Sequence, residues 1–377
     1  MEDIYRRLQK HFDKPPVGYP TTKSGVELRL LKHFFTEEEA WVALNLSIIP
    51  EPATKIHKRF KKGEITISEL EGHLEAMTEK GSIMGMTKNK KKPLKVYSRI
   101  PLAIGMFEWH VNRVTKELAK DFFDYEDEAF GAEVLKPKTK QMRTIPVNVK
   151  IDPEFHVGNY DNITEIIKNS PGPFAVSNCV CRQAKDKLDE SCKQTDVRET
   201  CLTIGNSAKY MMNTLGVARE LTREETLKMI TRAKKEGMVL QPENNQQPSF
   251  VCMCCGCCCG VLQGAKKFEK PVEFLHTNFY AEIDADKCEA CEDCQNICQM
   301  DAIDRVNSHM EVNLDRCIGC GLCIPVCSNK ATSLLKKDEE FKPPKDSNDM
   351  YKKITFEKAG LLGTLKFVGK AALGQKV

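Results

Sequence analysis

Asp286-Lys-Cys-Glu-Ala-Cys-Glu-Asp-Cys-Gln-Asn-Ile-Cys298 and Asp315-Arg-Cys-Ile-Gly-Cys-Gly-Leu-Cys-Ile-Pro-Val-Cys327 are two copies of one pattern, offset by 29 residues. Each copy reads Cys-x2-Cys-x2-Cys-x3-Cys after an acidic and a basic residue. Ala302 and Ala331 extend the match, since each stands four residues after the last cysteine of its copy. The repetition predicts one module with two related halves, at about residues 278–336.

The cysteine spacing indicates that these thiolates bind cubane iron–sulfur clusters. Three thiolates separated by two residues can wrap three iron atoms of one cluster from a single tight loop, whereas the fourth thiolate points to the other cluster. This predicts two [4Fe–4S] clusters with crossed ligands. The first is assigned Cys288, Cys291, Cys294 and Cys327, and the second Cys317, Cys320, Cys323 and Cys298. A zinc module is the alternative, but zinc favours two separated Cys-x2-Cys pairs.

The segment resembles the bacterial two-[4Fe–4S] ferredoxin family, which implies electron transfer. One departure from the family pattern is visible. A proline usually follows the fourth cysteine of each repeat, whereas here Gln299 and Ser328 stand in those places. Neither residue is a ligand, so we expect cluster binding to survive while the local turn and the reduction potential change.

The composition favours bound metal over disulfides. The 377 residues carry a net charge of +4, which is too small to indicate a nucleic-acid or membrane partner. Of the 18 cysteines, 14 lie between Cys252 and Cys327. Residues 1–10 lack the apolar core of a secretory signal, and no apolar run reaches the roughly 18–20 residues that span a bilayer. We therefore expect a cytoplasmic protein whose thiols stay reduced and serve as ligands.

A second set of ten cysteines lies upstream of the repeats. Arg182, directly after a Cys-x-Cys pair, could donate hydrogen bonds to a thiolate. One further iron–sulfur cluster, or two, is the favoured interpretation; zinc, catalytic or disulfide-relay thiols, and inert buried cysteines remain open. Adjacent cysteines seldom both bind one cubane, so some of the set are expected not to be ligands. Its members are Cys179, Cys181, Cys192, Cys201, Cys252, Cys254, Cys255, Cys257, Cys258 and Cys259. Their layout ahead of a ferredoxin module resembles 4Fe–4S binding proteins of anaerobic prokaryotes.

The N-terminal part predicts three helices and a hairpin after an irregular arm over residues 1–25. Helices are expected from Thr36, over 51–61 and over 66–80. Strands are expected at 82–86 and 94–100, with a basic loop of Lys88, Lys90, Lys91 and Lys92, followed by a long helix at 104–125. This order resembles a winged helix-turn-helix. The acidic third helix opposes phosphate contact, so DNA binding is disfavoured against a docking or dimerisation role.

These elements predict an α+β protein. Its expected units are a winged-helix-like domain with arm and long helix at 1–130, a Cys-rich α/β unit at 131–263, the dicluster ferredoxin domain at 278–336, and a linker with an amphipathic tail at 342–377. Residues 136–151 are expected to form a basic, β-rich connector. The tail places Leu361, Leu365, Val368 and Ala372 on one stripe. That stripe could dock on protein or, less favoured, on a membrane surface.

The favoured function is an electron-transfer protein or redox-complex subunit that serves a partner oxidoreductase, with a homodimer as a further possibility. Two alternatives stay open. One is a redox-sensing DNA-binding regulator, and the other is an oxidoreductase with its active site at the cysteines of residues 179–259.

Overall fold

The computed structural model describes residues 2–88, 93–147, 159–373 and 375–377. Lys90, Lys91 and Lys92 of the predicted basic loop lie outside these residues, as do residues 148–151 of the predicted connector. The mixture of helices and strands agrees with the α+β class.

Helices and strands alternate along most of the chain. The helices are α1 Ile4–Phe12, α2 Val26–Phe34, α3 Glu37–Ala43, α4 Ala53–His57, α5 Ile67–Glu79, α6 Phe107–Trp109, α7 Lys116–Tyr125, α8 Gly131–Leu135, α9 Ile163–Asn169, α10 Val180–Lys187, α11 Asn206–Asn213, α12 Arg223–Lys235, α13 Gly260–Lys266, α14 Asp293–Asn296 and α15 Ser347–Ala372. The strands are β1 Met84–Lys88, β2 Leu94–Ser98, β3 Phe174–Asn178, β4 Glu199–Ile204, β5 Ala218–Leu221, β6 Val239–Pro242, β7 Phe250–Cys254, β8 Phe279–Ile283, β9 Ile303–Val306, β10 His309–Val312 and β11 Thr332–Lys336.

The predicted three helices and hairpin are α3, α4, α5 and the antiparallel pair β1–β2. Thr36 and Thr66 start α3 and α5 with complete capping boxes, in which the threonine hydroxyl accepts from the backbone N–H three residues later. The matching carboxylates of Glu39 and Glu69 accept from the threonine N–H groups. Such local signals explain why the helix starts could be predicted. The likeness to winged-helix proteins stays a prediction.

Two predictions for the N-terminal part are wrong. The first residues form α1 rather than an irregular arm, because Tyr5, Leu8 and Phe12 recur at helical spacing and are buried. The predicted helix at 104–125 is interrupted. It forms only α6 and α7, with Asn112 between them at a φ of 67°, in the left-handed region that ends a helix.

The central unit is built on a five-stranded antiparallel sheet in the order β5-β3-β4-β7-β6. The ferredoxin module contributes two smaller antiparallel pairs, β8–β11 and β9–β10. The predicted β-rich connector takes the form of isolated bridges, in which Met142, Arg143 and Ile145 pair with Glu243, His276 and Leu240.

Buried apolar side chains form two clusters. One lies among the N-terminal helices and includes Val180 and Ala184 of α10. The other runs without a break from the central sheet into the ferredoxin module, from Ile145 to Cys323. The ferredoxin module therefore shares a core with the central sheet, while the exact domain boundaries remain a prediction.

The tail forms α15, which is interrupted at Gly360 with a φ of 64°. Its first half packs on the protein through buried Met350 and Ile354. Its second half exposes the predicted apolar stripe, and Leu361 is 63% exposed. Among the helices of the described residues, none is both long enough and apolar enough to cross a membrane.

Candidate metal centres

The cysteines of the two repeats gather around two small cavities. Each cavity has a volume of about 20 Å³ and takes three cysteines from one repeat and one from the other. The first is lined by Cys288, Cys291, Cys294 and Cys327, and the second by Cys298, Cys317, Cys320 and Cys323. This is the grouping that the crossed assignment requires; that the thiols bind clusters there remains a proposal.

Backbone N–H groups point at the sulfur atoms of both groups. Ala302 and Ala331, the matching alanines of the repeats, donate to the Sγ atoms of Cys298 and Cys327 at 3.3 Å in each case. Met310 donates to Cys288 at 3.3 Å and Ala281 donates to Cys317 at 3.4 Å. Hydrogen bonds to sulfur stabilise the anionic form and tune the potential of a bound iron–sulfur cluster. Four thiols with such donors fit a [4Fe–4S] cluster.

The cysteine loop of the second repeat packs closely against the backbone of β8. Gly319, between Cys317 and Cys320, has a φ of 61°. A β-carbon at this position would lie 2.2 Å from the backbone oxygen of Phe279. Only glycine therefore allows this loop to pack against β8. Burial raises the pKa of the Cys294 thiol to about 11, so metal binding must displace a proton there.

The two departures from the family pattern have different surroundings. Ser328 is exposed and its hydroxyl reaches only Asn329. Gln299 is buried, its Oε1 accepts from the backbone N–H of Gly256 at 2.8 Å, and its Nε2 donates to Gln194 Oε1 at 2.8 Å. Gln299 therefore links the second cavity to the segment of the upstream cysteines through hydrogen bonds. Proline could form neither of these side-chain hydrogen bonds.

Four upstream thiols form a compact group, which we call the four-thiol site. Their sulfur atoms all lie within 4.8 Å of one another. The Sγ atom of Cys192 is 3.6 Å from that of Cys255 and 3.7 Å from that of Cys257, and the Sγ atoms of Cys257 and Cys258 are 3.7 Å apart. Hydrogen bonds from Cys255, Cys257 and Cys258 lower the pKa of Cys192. The same contacts raise the pKa of Cys255 and Cys258, so binding of a metal ion by all four thiols must displace protons.

The other six upstream thiols lie on strands β4 and β7 and at the starts of helices α10 and α13, and we call them the six-thiol row. Cys201 of β4 pairs directly with Cys252 of β7. The pKa of Cys252 is lowered because Cys201 and Cys254 donate hydrogen bonds to its sulfur, and Cys254 in turn interacts with Cys259. The row consists of Cys179, Cys181, Cys201, Cys252, Cys254 and Cys259.

The cysteines of the run at residues 252–259 divide between the two groups. Cys254 ends β7 and belongs to the six-thiol row, whereas Cys255 belongs to the four-thiol site. Cys258 and Cys259 separate in the same way. Cys252 and Cys254, two residues apart on β7, share one face of the strand, whereas Cys257 and Cys258 lie in the turn over residues 256–258 that follows it. One short run can therefore serve two centres.

Arg182 lies between the two groups with only 1% of its surface exposed. Its guanidinium donates to Thr200 Oγ1, to the backbone oxygen of Met253 at 3.1 Å, and to Cys192. Burial disfavours its charge, but interactions with Cys179, Cys255 and Cys192 more than offset this, so the pKa of Arg182 is raised. Its positive charge therefore stabilises anionic sulfur on both sides.

An apolar cavity of about 120 Å³ borders the six-thiol row. Two carboxylic acids from the N-terminal helical region, Glu108 and Glu126, line it. Burial raises the pKa of Glu108 to about 8 and that of Glu126 to about 7. The sequence offered no signal for these two residues, because they come from a segment more than 40 positions away from any cysteine in the chain. The fold alone brings them to the thiols.

We expect Glu126→Gln to change how stability depends on pH. The folded-state pKa of Glu126 is raised from 4.5 to about 7, so the folded protein binds more protons than the unfolded chain between those values. Stability is thus lost as the pH rises through this window, by up to about 1.4 kcal/mol per pH unit. Urea unfolding of the metal-free, reduced protein should show Glu126→Gln gaining up to about 3 kcal/mol on the parent between pH 5 and 7.5.

Glu128→Gln is the matched control, because Glu128 lies in the same segment and is exposed. It should follow the parent protein at every pH. Parallel stability curves for Glu126→Gln and the parent would contradict the assignment of a neutral buried acid.

Comparison with known proteins identifies one part of the chain. A family model described as a 4Fe-4S dicluster domain matches residues 280–328. Neither the search of curated proteins nor the search of solved structures finds a significant match. The chain therefore contains an iron–sulfur domain of the ferredoxin type, at the position where the cysteine repeats predicted one.

Proposed function

We propose that this protein transfers electrons through two [4Fe–4S] clusters of its ferredoxin module to its upstream cysteine centres and to a partner oxidoreductase. The observation that carries the proposal is the crossed grouping, in which each cavity combines three thiols of one repeat with one of the other. Bound there, the clusters would supply one-electron redox chemistry at low dielectric. Crossed ligands keep two such centres close together, which favours stepwise electron passage.

The ligand assignment predicts which cysteine substitutions act on the same cluster. Cys327→Ser should alter the EPR signal of the reduced protein in the same way as Cys291→Ser, and Cys298→Ser in the same way as Cys320→Ser. Each pair removes ligands of one proposed cluster. Anaerobic iron and sulfide analysis with EPR of the full-length protein measures this, and Ser308→Ala is the control because Ser308 is exposed and lines neither cavity.

Two outcomes would overturn the proposal. A colourless anaerobic preparation without iron would remove the clusters altogether. If Cys327→Ser acted on the same signal as Cys320→Ser instead, the ligands would not be crossed. In this proposal the protein acts in the cytoplasm with a partner oxidoreductase, as a monomer or as a homodimer.

A second candidate function is reduction of a small molecule at the six-thiol row. The apolar cavity beside the row favours it, because an enclosed space with two acidic groups suits an uncharged substrate that takes up protons. The discriminating assay follows oxidation of reduced methyl viologen by small uncharged acceptors. Cys201→Ser should abolish any such turnover while leaving the ferredoxin EPR signals unchanged.

The charges of the third predicted helix, α5, disfavour the alternative of a redox-sensing DNA-binding regulator. In α5, Glu75 accepts hydrogen bonds from Lys95 of β2, at 2.7 Å, and from Tyr97. A lysine of the hairpin is therefore paired with an acidic residue of the helix that would have to approach DNA. The acidic charge of α5 and the pairing of this lysine both oppose binding of DNA phosphates.

A further inference from the structure

The distances within the four-thiol site distinguish between one metal ion and a cubane cluster. Ligand sulfurs of one tetrahedral ion, each about 2.3 Å from the metal, lie about 3.8 Å apart. The contacts of Cys192 with Cys255 and Cys257 measure 3.6 and 3.7 Å, close to that value. In a [4Fe–4S] cluster each thiolate binds a different iron atom, so the sulfurs diverge.

The ferredoxin cysteines of the same chain provide an internal comparison. They also gather in fours, around cavities of about 20 Å³. Yet over residues 2–88, 93–147, 159–373 and 375–377, the four-thiol site alone brings three or more cysteine, histidine or acidic ligand atoms within 4.8 Å of one another. The sulfur atoms of the proposed cluster ligands are thus more widely separated than those of the four-thiol site.

The surroundings compensate the charge of four thiolates. Arg182 donates to Cys192, and Arg198 lies near enough to interact with the same sulfur. The backbone N–H groups of Gln194 and Lys193 donate to Cys192 and Cys257. Hydrogen-bond donors around the ligands orient the thiolates and offset part of their negative charge.

We propose that Cys192, Cys255, Cys257 and Cys258 bind a single tetrahedral transition-metal ion, zinc or iron, at the junction between the ferredoxin module and the central sheet. Four sulfur ligands in a tetrahedral arrangement suit both metals. The residue between two of the ligands, Gly256, is held by Gln299, which directly follows Cys298 of the second proposed cluster. Iron there would add a one-electron step between the module and the six-thiol row, whereas zinc would fasten the two parts together.

The test is metal and sulfide analysis of the full-length protein and its Cys257→Ser variant, both purified anaerobically. A single-ion site contains no inorganic sulfide. The variant should therefore lose one metal ion per chain with unchanged acid-labile sulfide and unchanged ferredoxin EPR signals. Ser191→Ala, an exposed neighbour of Cys192, should lose nothing.

Spectroscopy of the parent protein identifies the ion and does not depend on the folding of a variant. Zinc should give X-ray absorption at its own edge with four sulfur neighbours at about 2.3 Å. Iron, oxidised to the ferric state with ferricyanide before the measurement, should give the high-spin EPR signal of a single tetrathiolate ion. The proposal is overturned if Cys257→Ser loses sulfide together with several irons, if its metal content is unchanged, or if the parent shows neither signature. Loss of the ferredoxin clusters alone would count against the proposed function and leave this site untouched.

Discussion

Replacing Arg182 by leucine should lower the free energy of unfolding by about 3–5 kcal/mol and release metal from the upstream cysteines. Arg182 is almost fully buried and its charge faces thiolates of both upstream groups. Leucine fills part of the volume but leaves those sulfurs without their counter-charge. Removing one partner of a buried charged pair is costly because the remaining charge is left uncompensated.

Three measurements check this expectation. Chemical unfolding reports the stability, metal analysis reports the centres, and ultraviolet titration of the metal-free protein should show the pKa of Cys179 rising. In the parent that pKa is lowered to about 6, by a hydrogen bond from Cys181 and by the charge of Arg182. Lysine at position 182 should rescue part of the pKa effect, since it restores the charge but cannot reproduce the planar fork of hydrogen bonds.

Thr200→Val provides the matched control for Arg182→Leu. It removes one acceptor of the Arg182 guanidinium and leaves the charge in place. Its cost should be near 1 kcal/mol, the usual contribution of a hydrogen bond. An Arg182→Leu protein with the stability and metal content of the parent would show that Arg182 does not supply the counter-charge that these thiols need.

Gly256→Ala should separate the ferredoxin module from the upstream cysteines. A β-carbon at this position would lie 2.3 Å from the backbone oxygen of Gln299. A backbone carbonyl cannot swing aside as a flexible side chain can, so the interface must open. The steric cost should be about 1–3 kcal/mol, and loss of the Gly256–Gln299 hydrogen bond should add about 1 kcal/mol.

The expected readout is a lower melting temperature together with slower reduction of the upstream centres through the module. The ferredoxin EPR signals should persist, because position 256 lines neither cluster cavity. Gly72→Ala is the control: a β-carbon there meets nothing within 4 Å, and alanine favours the helix α5. Equal melting temperatures for the parent and Gly256→Ala would contradict the tight interface.

Gln299→Pro tests the same interface from its other side. It places at position 299 the residue that usually follows the fourth cysteine in the resembling ferredoxins. Both hydrogen bonds of the Gln299 side chain to residues 194 and 256 are lost, yet no cluster ligand changes. We expect full cluster content with weakened docking; loss of a cluster instead would assign Gln299 a role in cluster binding.

Features that depend on nearby residues could be predicted well. The capping boxes at Thr36 and Thr66 place two helix starts correctly, because the signal lies within four residues. The N-terminal helix was missed for a related reason. Pro15, Pro16 and Pro20 indicate an irregular segment from residue 15 onward. They say nothing about the residues before them, where Leu8 and Phe12 have helical spacing.

The upstream cysteines show where such reasoning ends. Their number and the Cys-x-Cys-Arg segment suggested another metal centre, but the partners of each thiol depend on strand pairing. Cys201 and Cys252 are 51 positions apart and become neighbours only through the register of β4 with β7. Cys192 joins Cys255 across a comparable separation.

The two cysteine repeats of the ferredoxin module and the crossed grouping of their eight thiols could be predicted from the sequence alone. The reason is that a tight loop with fixed spacing sets the directions of its thiols almost without help from the rest of the chain. Tertiary packing divides the ten upstream thiols into four and six and lets Gln299 and Arg182 connect the groups. Those contacts join distant segments through a shared core, and no local pattern encodes them.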